Sequence, residues 1–239
     1  MTVVRAALTQ TTWTGDKESM LAKHEQFARD AAAQGAQVIC FQELFYGPYF
    51  GITEDKKYYA YAEPADGPIV QRFAKLAKEL NLVMVLPIYE EDMPGVYYNT
   101  AVGPIGLYIC YDRHFPEGWR ELGLNGAQIV FNPNATKPGL SNRLWEVEGP
   151  AAAVANGYFV LQPNRVGLED NEYGEEAVDF YGTSQVIDPR GNFVGERGSG
   201  DSEELLIRDL DMDMIRQMRD DWQFYRDRRP ESYTSIPKP

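Results

Sequence analysis

Gly106-Leu107-Tyr108-Ile109-Cys110-Tyr111-Asp112-Arg113-His114-Phe115-Pro116-Glu117-Gly118-Trp119-Arg120 changes character at its middle. The first five residues are apolar, aromatic or β-branched around a leading glycine, as in a buried strand, and the polar residues start where that run ends. Pro116, with Glu117, Trp119 and Leu122 behind it, reads as a helix opening with proline in its first turn. Cys110 therefore sits on a strand-to-helix elbow. In α/β proteins the carboxyl ends of strands carry the ligand-binding loops, because the sheet holds the roots of those loops rigidly. A thiol at that place is a candidate nucleophile; the alternative is a small core residue at the end of a strand.

The flanking chain repeats this pattern. Residues 2 to 9 read as a strand and Glu18 to Gln34 as a helix, with Met20, Leu21, Phe27, Ala28 and Ala31 inward and Gly35 closing it. Val38 to Phe41 is a second strand, ending at Gln42-Glu43. An acid thus occupies the same kind of strand terminus as Cys110, between Phe41 and Leu44-Phe45-Tyr46, where an idle carboxylate would be costly. The loop from Gly47 to Asp66 carries Tyr49, Phe50, Tyr58, Tyr59 and Tyr61, enough to wall a pocket or cover a core edge. A helix from Pro68 to Leu80 and a strand from Leu82 to Tyr89 follow. The alternation implies parallel strands covered by helices, with Glu43 and Cys110 on one edge.

Beyond Cys110 the spacing predicts a strand at Gln128 to Phe131 ending in Asn132-Pro133-Asn134-Ala135-Thr136. A helix over Ser141 to Asn156, broken or kinked at Pro150, comes next. Tyr158 to Leu161 is another strand, ending at Asn164-Arg165. Val178 to Asp188 and Phe193 to Gly195 read as a hairpin, and Glu204 to Leu210 as the last strand, before a short helix from Met212 to Met218. The tail from Trp222 to Pro239 is charged and proline-rich, and suits packing on a neighbouring subunit or a frayed end. One oddity remains. Tyr97 to Val102 and Ile105 to Cys110 both look like strands, but only Gly103-Pro104 lies between them, too little for a crossover helix.

Composition bounds the possibilities. A chain of 239 residues with 44% hydrophobic content buries a sizeable core as one domain. No apolar run approaches the roughly 18 to 20 residues of a membrane span, and the amino terminus lacks the order of a signal peptide, so a cytoplasmic protein is expected. The 36 acids against 23 bases give a formal charge of −13, which repels phosphate backbones and argues against nucleic acid. Cys40 and Cys110 are expected as free thiols. With no Cys-x-x-Cys pair and only His24 and His114, no metal or other cofactor is expected. A Cys–His–Asp arrangement through Asp112 competes with a Cys–Glu pair. However, His24 belongs to a helix, and His114 is so near Cys110 that the elbow would have to curl.

A carboxylate in an apolar pocket has a raised pKa, so it can take the thiol proton and later return it to a departing amine. The thiolate attacks a carbonyl and the acyl-enzyme is cleaved by water.

Phe41-Gln42-Glu43-Leu44-Phe45, Tyr108-Ile109-Cys110-Tyr111-Asp112-Arg113, Phe115-Pro116-Glu117, Asn132-Pro133-Asn134-Ala135-Thr136 and Asn164-Arg165-Val166-Gly167 together resemble the nitrilase (carbon–nitrogen hydrolase) superfamily. The resemblance covers nearly the whole chain and leans to the branch of β-ureidopropionases and N-carbamoylputrescine amidases. It implies a four-layer αββα sandwich, a homodimer or larger assembly, no cofactor, and a small ureido or amide substrate. By position, Glu43 matches the general base, Cys110 the nucleophile and the Tyr111 amide an oxyanion donor, with Arg113 and Asn134 expected to contact substrate. The superfamily also places a catalytic lysine and a supporting glutamate between base and nucleophile. Here that interval, from 43 to 110, is 67 residues, a few tens short, and Lys56, Lys57, Lys75 and Lys78 match no motif. Lys137 is the remaining candidate cation, or a solvated loop residue. The rival function is thus a catalytically impaired family member that keeps the fold and binds ligand as a scaffold.

Overall fold

The computed structural model describes residues 2–51, 55–102, 105–169, 177–233 and 235–236. In chain order its elements are β1 (Val3–Gln10), α1 (Lys17–Ala33), β2 (Val38–Cys40), α2 (Pro68–Leu80), β3 (Val83–Met93), β4 (Val96–Val102), β5 (Gly106–Leu107), α3 (Pro116–Leu124), β6 (Ile129–Phe131), α4 (Leu140–Asn156), β7 (Phe159–Gln162), β8 (Val166–Glu169), β9 (Val178–Tyr181), β10 (Gln185–Ile187), β11 (Glu204–Asp211) and α5 (Asp213–Asp221). Gly103, Pro104, Pro237 and Pro239, on which sequence expectations fell, lie outside the described residues.

The strands form two main sheets. The first runs β11-β1-β2-β3-β4, and the second β10-β7-β6-β5. Strand parity then builds the layers. Ala6, Leu8, Val38, Cys40 and Val85 of the first sheet meet Phe131, Phe159, Leu161 and Val186 of the second in one core between the sheets. The alternate residues Ala7, Ile39, Met84 and Leu86 face the other way, onto Leu21, Ala28 and Ala31 of α1 and Ile69, Phe73 and Leu76 of α2. On the far side Val130, Val160 and Ile187 pack under Trp119 of α3 and Ala152 and Ala153 of α4. The result is the expected αββα sandwich.

The pairing β1-β2-β3 is parallel, as the strand–helix alternation requires, while β3 and β4 form an antiparallel hairpin. That hairpin resolves the cramped junction. β4 closes the first sheet and β5 closes the second, so the chain changes sheets there and needs no crossover helix. Three other expectations need correction. β5 spans only Gly106 and Leu107, because Tyr108 and Cys110 then donate to Phe131 and Pro133 carbonyls beyond the ladder. The expected hairpin is present only as a short antiparallel contact, with Ile187 opposite Phe193 and the Val194 N–H on the Val186 carbonyl, because Val178 to Asp188 is two strands: β9 pairs back to β8, a strand not foreseen in Val166–Glu169, and β10 pairs with β7. α4 passes Pro150 without interruption. The tail folds onto its own chain where described: Tyr225 Oη donates to the Asn156 carbonyl at 2.8 Å, at the carboxyl end of α4.

His24, not Phe27, takes the inward position on α1. Its ring is enclosed by Phe41 and Phe45, with Nδ1 2.8 Å from the Met20 carbonyl and Nε2 3.1 Å from Gln42 Oε1. Burial, above all, pushes its pKa down from 6.5 to about 4. Above pH 6.5 neither folded nor unfolded chain binds this proton. Between about 6.5 and 4 only the unfolded chain does, so stability falls as the pH falls through that window, by roughly 3 kcal/mol in all. Urea denaturation of the native chain and of His24→Gln should show this loss in the native chain alone.

Candidate active site

Glu43 lies just past β2, where the chain turns away from the sheet through Leu44 in the left-handed region, φ 50°. Its side chain is only 2% exposed. Oε1 accepts a hydrogen bond from Asn99 Nδ2 at 2.6 Å, reaching across from β4. Among the described residues Oε2 has no partner of ordinary hydrogen-bond geometry, and besides Asn99 the Cys110 thiol is a side-chain neighbour that interacts with the carboxyl. Burial raises the Glu43 pKa; the contacts with Cys110 and Asn99 and the charges of Arg165 and Arg113 lower it again without cancelling the rise.

Cys110 comes from the other sheet. It opens a 3-10 turn, Cys110–His114, with φ 40°, and the Asp112 carboxylate accepts the Ile109 N–H at 3.1 Å to fix the turn. A left-handed non-glycine residue stores strain of about 1–3 kcal/mol and persists only where its surroundings hold it. Here the holding bond runs from the Cys110 N–H to the Pro133 carbonyl at 2.9 Å. The residue as a whole is partly exposed, but its sulfur is enclosed and receives the Ala135 N–H. Burial first, and then the Glu43 charge, push the thiol pKa far up; the Ala135 N–H and Arg113 only partly offset this. The thiol is therefore protonated at neutral pH, and Glu43 is the group beside it that can take the proton.

The other expected residues divide by what they touch. Tyr111 is 69% exposed, and among the described residues its N–H, in the first turn of the 3-10 segment, makes no backbone bond outside that turn. This leaves it free to donate to an oxyanion. Arg113 is buried: Nη1 donates to the Cys110 carbonyl at 3.1 Å and to Asn134 Oδ1 at 3.0 Å, and Nε lies 3.2 Å from Glu148. Asn134 is buried as well, and its Nδ2 donates to Asn132 Oδ1 at 2.9 Å. Both residues brace the elbow from beneath. His114 pairs with Glu148 at 2.7 Å, and His24 faces Gln42, so neither imidazole is turned to the thiol as a partner. Cys40 points into the core between the sheets.

Three contributors were missed. Asn99 became visible only once the β3–β4 hairpin register put it beside Glu43. Arg165, noted as a strand end, lies fully buried under the Glu43 loop and donates to its carbonyls. Tyr49, foreseen only as a pocket wall, has its hydroxyl pKa pushed up first by the Glu43 charge and then by burial and Cys110, which puts it beside the pair. Lys137 is exposed; the cations acting on the pair are Arg165 and Arg113. Among the described residues no group of three or more His, Cys, Asp or Glu side chains is arranged to hold a metal. A groove of about 650 Å³ between α3, α4 and the tail reaches Arg113 and His114 but not Cys110 or Glu43.

Iodoacetamide should label Cys110 and spare Cys40, at a rate rising about tenfold per pH unit from pH 7 to 10 because the thiolate is the nucleophile. Cys110→Ala should remove the label, and Cys40→Ala should leave it while costing packing of about 1 kcal/mol. Peptide mass mapping reads both; a labelled Cys40 with Cys110 untouched would reverse the assignment.

The family described as carbon-nitrogen hydrolase matches residues 5–103 and 95–220, in two pieces that overlap across β4. An N-carbamoylputrescine amidase of Arabidopsis thaliana is 33% identical over 269 positions, covering 91% of this chain and 90% of that enzyme. A beta-ureidopropionase of the same plant is 32% identical over 86% of this chain, which spans 64% of that protein's length. The alignment with the N-carbamoylputrescine amidase of Solanum lycopersicum is 32% identical and runs over 283 positions, although this chain has 239 residues. At least 44 of those positions therefore have no counterpart here. A carbon-nitrogen hydrolase from Helicobacter pylori G27 shares the fold at a TM-score of 0.89 over 99% of both chains, at 22% identity. An amidase mutant from Nesterenkonia sp. AN1, with an acetamide moiety on its active site cysteine, aligns at a TM-score of 0.72 over 97% of this chain and 96% of that one, at 22% identity. With its two sheets, its paired strand-end acid and thiol and these matches, the chain belongs to the carbon–nitrogen hydrolase family.

Proposed function

We propose that the chain is built to hydrolyse the ureido group of an N-carbamoyl amine or amino acid, with Cys110 as nucleophile and Glu43 as the single acid–base. The enclosed carboxyl–thiol contact carries this reading. Glu43 takes the thiol proton as sulfur attacks the ureido carbonyl, and the oxyanion receives the Tyr111 N–H. Collapse breaks the bond to the terminal nitrogen, and Glu43 returns its proton so that ammonia leaves. Water, deprotonated by the same carboxylate, then cleaves the carbamoyl thioester. The carbamic acid released falls to carbon dioxide and the amine, and the thiol is restored. Arg113 and Asn134 border the substrate position by holding the elbow. The relatives' printed activities support the substrate class. We also read the protein as a cytoplasmic homodimer or larger assembly, to be checked by light scattering; among the described residues no helix is long and apolar enough to cross a membrane.

The second reading, a ligand-binding member with impaired chemistry, is favoured by one observation. The family's lysine segment has no counterpart, so the thiol, raised by burial and by the Glu43 charge, has only Arg113 and the Ala135 N–H as a partial offset. A ligand that raises the melting temperature, and keeps it raised for hours without being consumed, would establish that role.

A panel of N-carbamoyl compounds with ammonia detection tests the substrate class. Turnover of nitriles or simple amides with no ureido compound consumed would exclude it. Losing one oxyanion donor costs about 10² to 10³ in rate, and a missing cation in a dry site should cost at least as much. The 27.1 kDa chain should thus be nearly inactive, and inserting a family-like lysine segment between Val102 and Gly103 should raise turnover at least 10²-fold. Full ureidase activity at an intact mass of 27.1 kDa would refute the need for the lysine and direct attention to Lys137.

A further inference from the structure

The chemistry above leaves Arg165 without a role, although its guanidinium is fully buried and committed to the loop that bears Glu43. Nε and Nη2 donate to the Glu43 carbonyl at 3.2 and 3.1 Å. Nη2 also reaches the carbonyls of Leu44 at 2.7 Å and Gly47 at 2.8 Å. Nη1 pairs with Glu169 Oε1, and Glu169 Oε2 accepts the Tyr49 N–H at 2.9 Å. One buried ion pair thus fixes both the base and the tyrosine beside it. The clamp spans a turn that cannot be relaxed by itself, because Leu44 sits at φ 50°. Its partner across the site, the Asn99 amide, comes from an edge strand and touches only the carboxyl tip.

We propose that Arg165, held by Glu169, is a positioning residue that presents the Glu43 carboxyl to Cys110 through the main chain of residues 43–47. A planar fork is needed for this, since a lysine ammonium cannot serve several carbonyls in one plane from one side. The inference rests on the Glu43–Cys110 reading. A buried arginine could equally be a staple for the fold alone, so the test separates position from stability.

The readout is the iodoacetamide labelling rate of Cys110 between pH 8 and 10, followed by peptide mass mapping, in a double-mutant cycle. Glu43→Gln removes the negative charge facing the thiol and should speed labelling by about tenfold or more, as a fall of one unit in thiol pKa would. Arg165→Lys keeps the charge and loses the fork; it should speed labelling several-fold in the native background. Once Glu43 is already Gln, it should change the rate less than about twofold, because the group it positions no longer acts on the thiol. Glu169→Gln should give the same pattern more weakly, and decides the question if Arg165→Lys is not recovered folded.

Equal acceleration in both backgrounds would mean general loosening and overturn the proposal, as would a lowered melting temperature with an unchanged labelling rate. If Glu43→Gln itself leaves labelling unaltered, the underlying carboxyl–thiol pair is what has failed.

Discussion

A carboxyl and a thiol enclosed together cannot both carry their charge cheaply. Two unit negative charges about 4 Å apart repel by about 4 kcal/mol at an effective dielectric of 20, equivalent to about three pKa units. The shifts at the site follow this logic: burial raises both groups, and each is then governed by what else is near. Glu43 has the Asn99 amide, the neighbouring thiol and two arginines acting on it, whereas Cys110 has one backbone N–H, one arginine and the Glu43 charge against it. The pair thus holds one proton between them, and chemistry requires that it move from sulfur to oxygen while the negative charge moves to the substrate oxygen. A cation set close to both would offset the repulsion by an amount of the same order. A lysine such as that of the family sequence pattern would meet this need; of the arginines present, Arg165 is bonded to main-chain carbonyls and Arg113 to the Cys110 carbonyl and Glu148.

The strand ends were legible because buried strands and their polar termini are local signals. Val38 to Cys40 and the run before Cys110 each announced an acid or a thiol at the point where apolar residues stop. Burial of Glu43 could be argued from Phe41 and Leu44 alone, since an unpaired carboxylate among aromatics is costly. What could not be read was which sheet each strand joins. The alternation of elements suggested one parallel sheet, but β5 pairs with β6 and β4 with β3, and the two sheets meet in one core that holds Val85 and Phe131. For the same reason Asn99 gave no signal, because a polar residue in an edge strand reads as solvated until its register is known. Arg165 follows an apolar strand in a quoted motif, yet its targets are main-chain carbonyls 118 to 122 positions away, which no local pattern encodes. His24 was misplaced for a simpler reason. Period alone gave Phe27 the inward place, and the polar floor formed by Gln42 and the Met20 carbonyl gave it to an imidazole whose two nitrogens face these groups.

The site lies on the seam between the two sheets, and this bears on the missing stretch. Glu43 follows a strand of the first sheet and Cys110 follows the edge strand of the second, so both reach the seam from the same end. Asn99, which bonds Glu43, is three residues before the end of β4, and Cys110 is three residues beyond the end of β5. The chain between these edge strands, residues 103 to 105, is consequently flanked on both sides by residues of the site. Any segment inserted there starts and finishes within a few residues of the carboxyl and the thiol, whatever its own fold. The first of the two overlapping family matches ends at this junction, at residue 103, and at least 44 aligned positions of one relative are unmatched in this chain. A lysine carried by such a segment would need no long reach to face both groups, since Asn99, close to its start, already bonds the Glu43 carboxyl. Position along the chain and electrostatic need thus converge on one place, which is why the gap bears on chemistry while leaving both sheets, each already closed by its own edge strand, intact.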